Sequence, residues 1–291
     1  MAITLLDGGM GQELVARSGA EPTPLWATRI MLDRPDLVRD IHADYFAAGA
    51  QIATVNSYAI HRDRLAPQGI EDQFEDLHLT ACAIARSARD AHGSGRIAGS
   101  LGPMGWSYTT DTPGPDAAAG FAEICRLQAP HVDMFLIETA SSLAQARVAL
   151  HGAAEAATGL PVWLGVSVMD EDGARLRSGE PVADVAALAQ DFGAEAVLIN
   201  CSVPEAVTVG LQNLQSAPLP FGGYANGFTG ITESFAQAGS TVKELSRRED
   251  LSPDRYADFA AQWIELGATI IGGCCEVGPA HIAELHRRFV A

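Results

Sequence analysis

Eight short apolar runs recur along the 291-residue chain, and stretches with helical spacing separate them. The runs are apolar throughout rather than alternating, which is typical of parallel strands that are covered on both faces. They are Ile3 to Gly9, Gln51 to Tyr58, Arg96 to Gly102, Met134 to Thr139, Pro161 to Val168, Ala196 to Ser202, Pro220 to Asn226 and Ala268 to Cys275. Strands that alternate with helices in this way predict an α/β fold with a parallel sheet.

Three of the helical stretches are marked most clearly, and they cover Pro35 to Ala48, Pro181 to Phe192 and Pro279 to Val290. Each begins at a proline, which the first helical turn accepts because an N–H has no intrahelical partner there. Gly49 is the expected cap of the first one.

Eight strand–helix units in 291 residues match the size of a (β/α)8 TIM barrel. We predict one barrel domain over residues 1–291. The alternative, a doubly wound open sheet, lacks the GxGxxG turn that often marks it.

The net charge of the chain argues against two classes of partner, nucleic acids and anionic membranes. There are 36 acidic and 19 basic residues, a formal net charge of −17. Such a surface repels the phosphates of nucleic acids and anionic membranes. No apolar run approaches the length of about 18 residues that a membrane span needs, and we find no secretory signal pattern at the start. We therefore expect a cytoplasmic protein with reduced cysteines and small-molecule partners.

Polar residues collect at the carboxyl ends of the predicted strands. In a TIM barrel these ends, with the loops that follow them, build the active site. The set comprises Asp7, Asn56, Ser57, Ser100, Glu138, Thr139, Ser167, Cys201, Asn226, Cys274 and Cys275. Their convergence on one edge predicts a functional site there.

Three cysteines of this set suggest a metal site. Cys201 ends one apolar run, and Cys274 and Cys275 follow a glycine pair at the end of another. Three thiolates with one open position are the layout of a catalytic zinc site. Buried free cysteines or a disulfide are the alternatives, although adjacent cysteines rarely bridge each other. Cys82 and Cys125 fall in predicted helices, and we interpret them as core residues.

Six segments spread over the chain resemble the homocysteine S-methyltransferase family, which includes the betaine- and S-methylmethionine-dependent zinc enzymes. The Asn-Cys and Gly-Gly-Cys-Cys segments are the most specific of them. The segments are Asp7 to Leu14, Thr54 to Tyr58, Gly99 to Pro103, Ile137 to Thr139, Ile199 to Cys201 and Ile271 to Cys275.

The resemblance implies a set of roles. Cys201, Cys274 and Cys275 would bind Zn²⁺, and Asp7 and Glu138 would hold the amino group of homocysteine. The other strand-end residues would shape the substrate pocket, namely Asn56, Ser57, Ser100, Thr139, Ser167 and Asn226. A thiol is mostly protonated near neutral pH, and coordination to zinc deprotonates it. The sulfur would then take a methyl group from a cationic donor, and positioning in a dry pocket would supply most of the catalysis.

The identity of the donor is left open between two classes. Aromatic faces attract sulfonium and quaternary ammonium ions alike, and the candidates are Tyr58, Trp106, Tyr108, Tyr224 and Phe228. Thr139 stands where the betaine enzymes of the family carry an aromatic residue, so a sulfonium such as S-methylmethionine is favoured. Met104, where many relatives carry an aromatic residue, is a further departure that bears on the donor. The loop over residues 103–116 carries two of these aromatic residues, and the length of the segment 227–251 suggests a lid or a binding loop. The length of the chain leaves no room for folate- or cobalamin-binding domains, so we expect a free small donor.

Two further functions fit a zinc site on a barrel. A zinc hydrolase or lyase would need a general base near the metal, and a strand-end histidine would favour it. A non-catalytic barrel with structural zinc would need a fourth cysteine or histidine ligand. The sequence shows neither feature at the strand ends.

Overall fold

The computed structural model describes residues 2–19, 25, 27–237 and 239–291. Eight strands in this part of the chain form one sheet in which every strand pairs in parallel with its neighbours, in the order β1-β8-β7-β6-β5-β4-β3-β2. The strands are β1 (Thr4–Leu5), β2 (Ile52–Thr54), β3 (Arg96–Leu101), β4 (Met134–Ala140), β5 (Val162–Val166), β6 (Ala196–Asn200), β7 (Phe221–Tyr224) and β8 (Ile270–Ile271). A parallel bridge between Leu6 and Ile52 joins the two ends of this order. The predicted (β/α)8 TIM barrel is confirmed.

Helices occupy the connections between the strands. They are α1 (Met10–Ser18), α2 (Ala27–Asp33), α3 (Pro35–Ala47), α4 (Arg62–Leu65), α5 (Phe74–His92), α6 (Ala117–Gln128), α7 (Leu143–Ala156), α8 (Ala183–Asp191), α9 (Pro204–Gln212), α10 (Pro253–Glu265) and α11 (Pro279–Phe289). None of the helices within the described ranges is long and apolar enough to cross a membrane.

Two of the three predicted helix starts are confirmed, at Pro35 and Pro279. Helix α8 begins at Ala183 rather than Pro181, because Pro181 forms an antiparallel β-bridge with Arg175 and Val182 caps the helix. Gly49 has a φ of 102° after α3. The amide of Ala50 there reaches the carbonyl of Tyr45 at 3.0 Å, which closes the helix end as a left-handed cap does.

The strands are shorter than the apolar runs that predicted them. The run from Ile3 to Gly9 contains only the two-residue β1, and the run from Ala268 to Cys275 contains only β8. Beyond these strands isolated backbone bonds still join the two runs, from the Leu6 amide to the Ile271 carbonyl at 2.8 Å and from the Gly273 amide to the Asp7 carbonyl at 2.9 Å. Side-chain hydrophobicity reports burial, and burial continues past the point at which the regular ladder ends.

Alternation along β4 shows how the barrel places its site. Met134 and Leu136 fill the barrel interior, whereas Phe135 and Ile137 pack outward against the helices. Glu138 follows on the inward face, above the apolar interior, and its carboxylate meets Ser100 and Tyr224 across the mouth. The packed interior therefore confines any substrate to the carboxyl end of the barrel.

Candidate active site

The three cysteines predicted to bind metal lie together at the barrel mouth. Their sulfur atoms are all within 4.8 Å of one another, and all three cysteines are free thiols. Cys201 follows β6 in a left-handed conformation with a φ of 50°. Cys274 and Cys275 follow β8, which is two strands away in the sheet. In the described ranges, this is the group of three potential metal ligands that converges on one point.

The three thiol donors and one of their sulfur–sulfur distances fit a zinc ion. Two sulfurs that each lie about 2.3 Å from a tetrahedral zinc are about 3.8 Å apart, and Cys201 and Cys275 have this separation, 3.8 Å. The sulfurs of Cys274 and Cys201 are closer, at 2.6 Å. Three soft thiolates are the donors that zinc prefers over harder cations such as magnesium. The cofactor predicted from the sequence, Zn²⁺, therefore suits this donor set.

Glycines allow the backbone to pack tightly around the two adjacent cysteines. A Cβ on Gly9 would lie 2.5 Å from the carbonyl oxygen of Cys274, and one on Gly273 would lie 2.2 Å from Val277. The amide of Cys274 bonds to the Ala225 carbonyl at 2.9 Å, which ties the cysteine pair to the end of β7. The glycines on either side of the site are thus required by close approach, which explains the Gly-Gly-Cys-Cys sequence.

Asp7, which is buried, and Glu138, which is half-buried, form an acid pair in the same mouth. The amide and the hydroxyl of Thr54 donate to Asp7 at 2.7 and 3.1 Å. The hydroxyl of Ser100 donates to Glu138 at 2.5 Å. Burial raises the pKa of Asp7 to about 7, against the opposing effect of the Thr54 bonds. Burial and then the nearby charge of Asp7 raise the pKa of Glu138 to about 8. Two acids in this state lack a buried cation and are suited to receive one.

The acid pair and the three cysteines line one cavity of about 120 Å³. A cavity of about 150 Å³ holds one benzene molecule, so this cavity has room for one small substrate. Glycines at the start of α1 form part of its wall. The predicted site residues in its lining are Asp7, Asn56, Tyr58, Ser100, Glu138, Thr139, Cys201, Cys274 and Cys275.

Four of the predicted site residues lie outside this lining, and one of them, Ser167, accepts a hydrogen bond from the Arg177 guanidinium at 2.8 Å. The hydroxyl of Ser57 donates to the Ser100 carbonyl at 3.2 Å and accepts from Gln128 at 3.1 Å, so it stabilises the wall behind the cavity. The side-chain oxygen of Asn226 accepts the amide of Phe228 at 3.1 Å. Trp106 lines a second cavity of about 790 Å³ beside the loop that follows β3, and Glu138 lines both cavities.

Comparisons with known proteins identify the family of the chain. The model of the homocysteine S-methyltransferase family matches residues 4–289. The chain belongs to the homocysteine S-methyltransferase family. It is 31% identical to a homocysteine S-methyltransferase of Escherichia coli (strain K12), and the match covers 98% of this chain and 95% of that protein.

A Bacillus subtilis (strain 168) relative, the homocysteine S-methyltransferase YbgG, is 27% identical, with 97% and 93% of the two chains covered. Among solved structures, the metallated form of the E. coli homocysteine methyltransferase MmuM superposes with a TM-score of 0.81 at 29% identity. The match covers 99% of this chain and 96% of that one. The chain is therefore an enzyme of the homocysteine S-methyltransferase class.

The aromatic residues predicted to receive the donor have different neighbours in the structure. The guanidinium of Arg64 lies 5.7 Å from the Tyr58 ring and 5.2 Å from the Trp106 ring. Arg177 lies 4.9 Å from the ring of Tyr108. Tyr58, Tyr108 and Tyr224 line the small cavity, whereas Phe228 does not. Arginines of the chain thus occupy one face of three candidate rings.

The segment 227–251 covers the cysteines of the site. Its Phe235 is buried in one apolar cluster with Tyr108 and Cys201, and its Ser240 accepts a hydrogen bond from the Trp106 indole at 3.0 Å. The hydroxyl of Tyr108 donates to the sulfur of Cys201 at 3.0 Å. Bonds from the Cys274 and Cys275 thiols, and then from Tyr108, lower the pKa of Cys201. This segment and the loop after β3 together enclose the cysteine cluster.

Asn200 belongs to the Asn-Cys segment named in the sequence analysis, which gave the residue no role. It is fully buried, and its side chain bonds twice to Thr139, which is left-handed with a φ of 59°. The available signal was a polar residue at the end of an apolar run, directly before a candidate ligand. Thr54 was also missed as the partner of Asp7, because its role depends on the closure of the barrel between β1 and β2.

Proposed function

We propose that this enzyme transfers a methyl group from a small cationic donor, with S-methylmethionine or another sulfonium favoured, to the thiol of homocysteine, with Zn²⁺ as cofactor and methionine as product. The observation that carries the proposal is that the acid pair and the three thiols share one small cavity. An amino acid with a terminal thiol has an ammonium group at one end and a soft sulfur at the other. Homocysteine matches both ends of the cavity.

Asp7 and Glu138 would hold the ammonium group through charge-assisted hydrogen bonds. Both carboxyls have raised pKa values because they are buried without a cation, and an incoming ammonium favours their ionised form. The wall of the same cavity includes Met10 and Gly11, in the first turn of α1. Backbone amides at a helix start suit the carboxylate of the amino acid.

Cys201, Cys274 and Cys275 would hold the metal, which supplies acidification of the substrate thiol when it is bound. The chain itself orients the substrate and excludes water. Phe235 and Tyr108 cover the cysteine cluster, which keeps water from the reacting sulfur. In the transfer, the substrate sulfur forms a bond to the methyl carbon as the donor's bond to that carbon breaks. The bonding electrons pass to the donor, and the thiol proton leaves to solvent.

A sulfonium donor is favoured on two grounds. Loss of its methyl group leaves a neutral thioether, a better leaving group than the amine that a betaine releases. Thr139, which follows Glu138, is small, whereas the betaine enzymes carry an aromatic residue at that point. Tyr108 and Tyr224 line the cavity, and their rings could receive the positive charge. One barrel domain in the cytoplasm would carry the whole reaction.

The test compares donors at equal concentration with homocysteine and zinc-loaded protein. Methionine formation is followed with S-methylmethionine, S-adenosylmethionine, dimethylsulfoniopropionate and glycine betaine. We expect the highest initial rates with a sulfonium. Activity with glycine betaine alone would replace the sulfonium by a quaternary ammonium. Failure of every donor, with hydrolytic activity or with protein binding instead, would favour a zinc hydrolase or lyase or a non-catalytic zinc barrel.

A further inference from the structure

Asp170, in the loop after β5, contacts three separate parts of the structure. One carboxylate oxygen accepts the amide of Val203 at 3.0 Å, directly after the Cys201 segment. The other accepts the amide of Ile231 at 2.8 Å, within the covering segment 227–251. The guanidinium of Arg177 lies 3.3 Å away, and the side chains of both partners in this ion pair are nearly buried, at 12% and 13% exposure. Asp170 therefore fixes the covering segment relative to the loop that bears a candidate metal ligand.

A second set of contacts runs from Asp170 through Arg177 to the cysteine cluster. Arg177 stacks over the ring of Tyr108 at 4.9 Å and donates to the hydroxyl of Ser167 at 2.8 Å. Tyr108 is held in a left-handed conformation with a φ of 65°, which a tyrosine adopts only under external constraint. Its hydroxyl donates to Cys201, and its ring packs at 5.8 Å on Phe235 of the covering segment. Both sets of contacts thus lead from Asp170 to the Cys201 loop and to the covering segment 227–251.

We propose that Asp170 is a positioning residue that holds segment 227–251 closed over the metal centre, directly through Ile231 and indirectly through Arg177 and Tyr108. It touches no reacting atom. Its effect on catalysis rests on the proposed function, because a closed cover matters where a cationic donor must meet a sulfur nucleophile away from water. Loss of Asp170 should loosen the cover and weaken donor capture, and should leave the three thiols and the acid pair in place.

A carboxylate is the group that this position requires. Its two oxygens only accept, and they face two backbone N–H groups and a guanidinium. Asparagine has almost the same shape but carries an NH₂ group, which cannot accept from the second amide. Asp170→Asn therefore removes one backbone bond and the ion pair without opening a cavity. Asp172→Asn is the matched control, because Asp172 lies in the same loop, is exposed, and its side chain pairs with Arg175 and the Ala174 amide of that loop.

The experiment measures amide hydrogen exchange by mass spectrometry, zinc per chain, homocysteine affinity, and the KM and kcat for whichever donor the wild type uses. In Asp170→Asn we expect exchange over 227–237 to rise about tenfold, as loss of a hydrogen bond to a charged group allows. The KM for the donor should rise by about the same factor, while zinc content and homocysteine affinity stay within about twofold. Asp172→Asn should match the wild type in every measurement. Unchanged exchange over 227–237 in Asp170→Asn would overturn the proposal, as would loss of zinc, which would indicate a role at the metal instead.

Arg177→Lys keeps a positive charge beside Asp170 but loses the planar stack over Tyr108. If Arg177 transmits part of the effect, the double variant should lose less than the product of the two single losses. Multiplicative losses in a folded double variant would show that Arg177 transmits none of it. The exchange measurement needs no methyl donor, so it tests the position of the cover even if the proposed donor class is wrong.

Discussion

Asn200 and Thr139 are joined by two hydrogen bonds across the mouth of the barrel. The side-chain oxygen of Asn200 accepts the Thr139 amide at 3.0 Å, and its side-chain nitrogen donates to the Thr139 hydroxyl at 2.9 Å. Asn200 directly precedes Cys201, and Thr139 directly follows Glu138. This pair therefore sets the position of a candidate metal ligand relative to a candidate ammonium ligand.

Asn200→Ala should destabilise the protein and weaken homocysteine binding together. The change leaves the buried amide of Thr139 without a partner, which typically costs about 1–3 kcal/mol. It also frees Thr139 from the left-handed conformation that displaces the end of β4. Chemical denaturation gives the first effect, and equilibrium titration with homocysteine gives the second. Asn213→Ala is the control, since Asn213 is exposed and bonds only within its own helix end. Stability equal to that control would contradict the structural role of the pair.

Cys275→Ser should remove most of the bound zinc. A hydroxyl is a harder and less acidic donor than a thiol, so the site would retain only two thiolates. The measurement is zinc per chain after dialysis against a weak chelator, by elemental analysis. Cys125→Ser serves as the control because Cys125 is buried in α6 and belongs to the packed core. A full complement of zinc in Cys275→Ser would show that Cys275 is not a ligand.

Glu138→Gln and Asp7→Asn should each weaken homocysteine binding far more than zinc binding. Each variant keeps the shape of the side chain and removes the charge that would pair with the ammonium group. Hydrogen bonds to charged groups contribute about 1.5–3 kcal/mol, which corresponds to a loss of affinity of tenfold or more. Titration calorimetry gives the affinity, and elemental analysis gives the zinc content of the same samples. Unchanged affinity in both variants would mean that the ammonium group binds elsewhere.

Homocysteine affinity should rise with pH across the range in which the acid pair ionises. Burial raises the pKa of Asp7 to about 7 and that of Glu138 to about 8. Below these values the carboxyls are protonated and neutral, and above them they carry the charge that an ammonium group needs. The dissociation constant should therefore fall between about pH 6 and pH 8.5.

Methionine is the better ligand for this pH series, because it has the same ammonium group and no thiol proton. Its affinity at constant ionic strength isolates the acid pair from the chemistry of the thiol. In Glu138→Gln the upper part of the pH dependence should disappear, since only Asp7 then titrates. A dissociation constant for methionine that is independent of pH in the wild type would argue against the acid pair as the receptor.

The fold could be predicted because its evidence is local. Each apolar run and each helix start at a proline is visible in a few neighbouring residues, and eight repeats of the pattern leave few arrangements. The predicted ends of the strands were less accurate, as in the runs that contain β1 and β8. Apolar side chains remain buried after the regular backbone pairing stops, so hydrophobicity alone overestimates the strand length.

The site was predicted in part for the same reason. Asp7, Glu138 and the three cysteines stand at strand ends, and a parallel barrel brings all such ends to one mouth. Ser57 and Trp106 also stand near strand ends, but they contact other groups. Whether a strand-end side chain faces the cavity depends on the backbone conformation directly after the strand. Residue type alone does not predict that conformation.

The sequence by itself therefore determined the barrel, the group of thiols at its mouth and the acids beside them. Only the tertiary structure decided that Arg64 and Arg177 cover aromatic faces, that Asn200 fixes Thr139, and that Asp170 joins the covering segment to the cysteine loop. These partners are separated by tens of residues or more along the chain. Their contacts exist because barrel closure brings distant loops to one edge, where burial favours a partner for most polar groups.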